Sequence, residues 1–67
     1  MKMYINGSIK EFNGVKITAT ELIAQLNLNG KRFAIEKNGE IISKNFLDGV
    51  YFNEGDKIEI IGAVGGG

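Results

Sequence analysis

The last six residues, Gly62-Ala63-Val64-Gly65-Gly66-Gly67, are the part of this sequence whose residue types suggest chemistry. The final three carry no side chain, so their backbone can thread a channel too narrow for Cβ atoms. Fully extended, the six residues reach about 20 Å. They end in an α-carboxylate, which is ionised at neutral pH. A carboxylate is a poor electrophile, and joining it to AMP, with ATP as donor, supplies a leaving group for acyl transfer. This chain lacks the means to do that itself. It has no G-x-x-x-x-G-K-[ST] phosphate loop and no metal-ligand cluster. With no Cys and no His among 67 residues, it also lacks a thiol, an imidazole, a disulfide and a zinc finger. ATP and Mg²⁺ are therefore expected on an activating partner, with this chain as the substrate.

The rest of the composition narrows the setting. A chain of 67 residues makes one domain, and at that size it buries roughly 60% of its unfolded surface. Stability must come from packing, for which the sequence has 43% hydrophobic residues. Eight Lys and Arg against eight Asp and Glu leave no net charge, which argues against nucleic acid as a partner. No apolar run approaches the ~18–20 residues that span a membrane, and the start has no signal-peptide pattern. The expectation is a cytoplasmic protein with no membrane partner.

Something must hold the tail, and the turn residues outline it. Six glycines lie in residues 1–61, and five of them follow Asn or Asp. Asn6-Gly7 and Asn38-Gly39 separate apolar-rich runs, the signature of two-residue type I′ hairpins. The first hairpin is expected to pair Met1–Ile5 with Ser8–Phe12, and the second Arg32–Lys37 with Glu40–Ile42. Between them, Ala19, Leu22, Ile23 and Leu26 make one apolar helical stripe within residues 18–28. Thr18 and Glu21 fit a capping box at its start, and Asn29-Gly30 is the expected end. Phe46, Leu47, Val50, Tyr51 and Phe52 form an irregular segment that packs under a loop. Lys57–Ile61 is the last strand, with Ile58 and Ile60 on one face. The order β-β-α-β-β-β predicts an α+β fold of β-grasp (ubiquitin-like) form. It would be a mixed sheet of four to five strands with one helix packed on one face. The apolar first and last strands are expected at its centre. Residues 1–61 are the expected β-grasp domain, and 62–67 a flexible Gly-rich C-terminal tail.

Four segments carry a family likeness: Ile5-Asn6-Gly7, Thr20-Glu21-Leu22, Glu36 to Ile42, and Glu54 to Ile61 running into Val64-Gly65-Gly66-Gly67. Together they resemble the ubiquitin-like sulfur carriers, most closely those of bacterial thiamine biosynthesis, over essentially the whole chain. The resemblance implies a carrier rather than an enzyme. An E1-like adenylyltransferase would join the Gly67 carboxylate to AMP. A sulfur-donating desulfurase system would convert the adenylate to a thiocarboxylate, and thiazole synthase would take the sulfur. Gly67 is then the covalent attachment residue. Ala63, Val64, Gly65 and Gly66 thread the partner's active site, and Tyr4 and Ile61 are candidates for a docking patch. The small subunit of molybdopterin synthase and a ubiquitin-like protein modifier are alternatives, as is an interaction module with an inert tail. Glu54, Asp56 and Glu59 read as a solvated acidic cluster, and Lys31-Arg32 is too short for a nucleic-acid patch.

Overall fold

A computed structural model of the protein describes residues 1–43 and 47–64. Both Asn-Gly pairs close hairpins as expected. Asn6 and Gly7 have φ of 50° and 83°, Asn38 and Gly39 of 51° and 89°, the double positive φ that a type I′ turn requires. The first turn joins β1 (Lys2–Ile5) to β2 (Ser8–Glu11), and the second joins β4 (Arg32–Lys37) to β5 (Glu40–Ile42). The remaining elements are β3 (Lys16–Thr18), α1 (Ala19–Gln25), β6 (Tyr51–Asn53) and β7 (Lys57–Val64).

Five strands form a mixed sheet in the order β2-β1-β7-β4-β5. The first and last strands are indeed inside it: β7 pairs parallel with β1 and antiparallel with β4. With the helix on one face, this is the β-grasp arrangement. Beside it lies a two-stranded sheet of β3 and β6, which pair Ile17 with Phe52 and Thr18 with Tyr51. Residues 50–52 were expected as irregular chain, and residues 16 and 17 carried no expectation. Each strand is only three residues long and has no alternation to betray it. Their pairing exists because both flank the buried side of the fold.

Helix α1 starts as the sequence predicts. The Thr18 hydroxyl accepts from the Glu21 amide at 3.1 Å, and the Glu21 carboxylate accepts from the Thr18 amide at 3.2 Å. Its end corrects the expectation. The helix stops at Gln25, and Asn27 rather than the Asn29-Gly30 pair takes the left-handed cap at φ 57°. The Leu28 amide donates to Ile23 O at 3.0 Å and the Asn27 amide to Ala24 O at 3.2 Å. These two bonds make a Schellman closure, which delivers Leu28 back into buried surroundings.

The core lies between the helix and the sheet: Met3, Ile5, Ile17, Ala19, Leu22, Ile35, Leu47, Phe52 and Ile58. Phe52, Met3, Leu22, Ile35 and Ile58 are the largest fully buried side chains, each stabilising the fold by about 1.5–3 kcal/mol. Tyr51 departs from the expected packing role. It is exposed on the far side of β6, where the Lys16 ammonium sits 4.5 Å from its ring centroid. Phe46 lies outside the described residues. Among the described residues no helix is long and apolar enough to cross a membrane.

Candidate functional site

The site is built on β7, because β7 runs into the expected tail. Its first half is held from both sides. Tyr4 N donates to Asp56 O at 3.0 Å and Asn6 N to Ile58 O at 2.9 Å. One step further on, β1 has already turned into its hairpin and has no carbonyl to offer the Ile60 amide. The Asn6 side chain takes its place, and Oδ1 accepts from Ile60 N at 2.7 Å. On the opposite side Asn38 does similar work at the start of the strand. Its amide donates to Lys57 O at 2.8 Å and its Oδ1 accepts from Lys57 N at 2.9 Å. Both hairpin asparagines therefore serve twice, in the left-handed turn and as clamps on β7. Sequence reasoning found the turns. It missed the clamps, since nothing local says that residue 6 meets residue 60.

Two members of the acidic cluster are structural as well. Asp56 accepts from Asn53 N at 2.8 Å and from Asn38 Nδ2 at 3.2 Å, and it lies 4.0 Å from the Lys37 ammonium. Glu54 accepts from Lys2 N at 2.7 Å. Glu59 alone faces outward from the sheet, and the register sets it directly opposite Glu36.

The second half of β7 differs from the expectation. The strand does not stop at Ile61 but continues to Val64, paired with β4. Ala34 opposes Ile61 and Arg32 opposes Val64, which leaves Gly62 and Ala63 against Phe33 alone. Gly62 has φ of 70°. One extra residue beginning with a left-handed glycine is a G1 β-bulge, which bends the strand and increases its twist. Residues 62–64 of the expected tail thus run in a bulged strand. Gly65, Gly66 and Gly67 lie outside the described residues, as does any geometry of the attachment point.

Tyr4 and Ile61 do share a face. Tyr4 is 41% exposed and Ile61 48%, both on the side of the sheet away from the helix. They are not neighbours: Tyr4 is in register with Lys57, and Glu59 stands between Lys57 and Ile61 along β7. The face is wider than this pair, because Ile9 opposite Tyr4 and Ile41 opposite Glu36 are also exposed. It therefore presents two apolar spots separated by charge. No strand alternation alone could have linked Ile9 or Ile41 to Ile61, because the connection runs across the sheet order.

The sequence profile of the ThiS family matches residues 3–67. The chain belongs to the ThiS family. This is the ubiquitin-like sulfur-carrier group of thiamine biosynthesis that its motifs resemble. Over its whole length the fold superposes on the crystal structure of the thiamine biosynthesis protein ThiS from Geobacter metallireducens, with a TM-score of 0.84 and 28% identity. That match covers all of both chains. The sequence is also 37% identical over 67 residues to a thiazole synthase of Paramagnetospirillum magneticum. It spans all of this chain but only 20% of that protein. The ycf40 protein of Porphyra purpurea is 36% identical over 70 residues, covering 94% of this chain and 99% of its own length.

Proposed function

We propose that this ThiS-family protein carries sulfur as a thiocarboxylate on Gly67 and delivers it to thiazole synthase. The chain is the substrate at each step and catalyses none of them. An E1-like adenylyltransferase, holding ATP and Mg²⁺, joins a Gly67 carboxylate oxygen to the α-phosphorus of ATP and releases pyrophosphate. The terminal sulfur of a persulfide, loaded by a cysteine desulfurase, then attacks the acyl carbon and expels AMP. A thiol cleaves the resulting acyl disulfide and leaves the thiocarboxylate on Gly67. Gly65 and Gly66 supply clearance in the partner's channel, and Ala63 and Val64 meet its walls. Tyr4 and Ile61, on the exposed sheet face, dock the partners.

The observation that carries this reading is that the family match runs through residue 67, the last of the glycines that follow β7 in the sequence. The choice of thiazole synthase as acceptor is supported by the thiazole synthase of which one fifth is similar to this entire chain. Intact mass after incubation with the adenylyltransferase, ATP and a sulfur donor tests it. Exchange of one oxygen for one sulfur is expected, and deletion of Gly66 and Gly67 should abolish both the exchange and thiamine prototrophy. A ladder of heavier conjugates would instead mark a protein modifier. Absence of any product with competent partners would end the carrier reading.

A further inference from the structure

We infer that the bulge at Gly62 is a positioning device, which sets the direction in which the reactive terminus leaves the sheet. This rests on the carrier reading above. Three observations converge on it. The bulge lies two residues past Ile60, where the Asn6 side chain makes the last clamp from the β1 side. Beyond that point β4 is the pairing partner in the observed register, so a bend there redirects β7 through to Val64. Packing does not call for a glycine: a Cβ built on Gly62 would meet nothing within 4 Å. What calls for it is the backbone, at φ of 70°, a conformation that costs most side chains about 1–2 kcal/mol. A straight strand would have been easier to make, and the extra residue breaks the ladder between Arg32 and Ala34. Bulges recur next to active sites because they re-aim the side chains and backbone beyond them. Here the active site belongs to the partner, and the re-aimed group is this chain's terminus.

The register supplies a test that separates direction from reach. Deleting Gly62 leaves Ala63 alone opposite Phe33, while Val64 keeps its partner Arg32. Val64 then lies as far along β4 as before, and only the bend and twist are lost. Replacement by Asn should keep the bulge, since Asn6, Asn27 and Asn38 already hold φ between 50° and 57° in this chain. Replacement by Val should not, because a β-branched residue is a poor fit to that region.

Adenylation of each variant by the activating enzyme is measured as ATP–pyrophosphate exchange, with thermal melting in parallel. The deletion variant and Gly62→Val should lose about ten- to a hundredfold in kcat, the scale of a misplacement near 1 Å. KM should change less than kcat, because Tyr4 and Ile61 on the docking face are unchanged while only the tail contacts shift. Gly62→Asn should retain kcat within about twofold of wild type. If the deletion variant melts before the assay temperature, the Asn and Val variants decide between them. Equal kcat for Asn and Val, or wild-type kcat for a folded deletion variant, overturns the inference. A wild-type chain that takes no AMP from a competent enzyme overturns the carrier reading itself, a separate outcome.

Discussion

The two halves of β7 belong to one strand but are built by different rules. From Lys57 to Ile60 the strand has neighbours on both sides, a buried side chain at Ile58, and a clamp from each hairpin asparagine. From Ile61 to Val64 it is paired with β4 across a bulge. The first half is a handle whose position is overdetermined. The second half is an arm whose direction depends on one backbone conformation. In the proposed carrier role the first half would keep the fold recognisable to a partner, and the second would lead into the reactive tail. The boundary between domain and tail is therefore graded, and it falls inside a strand.

Substitutions on either side of that boundary should separate handle from arm, and the largest effect should come from the handle. Ile58→Ala should cost about 2–5 kcal/mol in denaturant unfolding, because the side chain is 1% exposed in the core. Next comes Asn6→Ala, which loses both the left-handed turn preference and the bond to Ile60. About 1–3 kcal/mol is expected. Asn6→Gly keeps the turn and loses only the clamp, so it should cost less, about 0.5–1.5 kcal/mol. Equal losses for the two variants would show that the left-handed turn preference contributes little and that the clamp carries the effect. The Gly variant should also speed amide exchange at Ile60 more than at Ile58.

Thr18→Ala removes the helix cap at the other side of the fold. About 1 kcal/mol of stability should go, with no change in the rate of adenylation, since α1 does not touch β7 beyond the shared core. The smallest effect on stability belongs to the arm. Ile61→Ala should lie within about 0.5 kcal/mol of wild type in unfolding. Its binding to the activating partner, by calorimetry, should weaken by about 1 kcal/mol or more, roughly fivefold. Loss of stability without loss of affinity would make Ile61 part of the scaffold and not of the docking face.

How much of this the sequence disclosed depends on how local each signal was. The hairpins at Asn6-Gly7 and Asn38-Gly39 and the Thr18–Glu21 box are each decided within four residues, and each stands as expected. The α+β order and the central placement of β1 and β7 came with them. What escaped depends on meetings between distant residues. The pairing of β3 with β6 joins residues 16–18 to 51–53. The helix end at Asn27 was hidden by the Asn29-Gly30 pair, which looked more suitable two residues later. The continuation of β7 past Ile61 was concealed by Gly62, which reads as a strand terminator unless its partner strand is known. Of the candidate site, Tyr4 and Ile61 are exposed on one face as read from parity, and Gly65, Gly66 and Gly67 lie outside the described residues.

The register that sets Glu36 directly opposite Glu59 has a consequence for how copies of this protein meet one another. Like charges opposed across a ladder cost stability, and here they sit in the middle of a face that also exposes Tyr4, Ile9, Ile41 and Ile61. Such a face invites self-stacking. Two copies laid face to face about a two-fold axis through that centre would bring four carboxylates together in a closing, drying gap. The pair thus acts as a charge set against the stacking that the apolar side chains around it would favour.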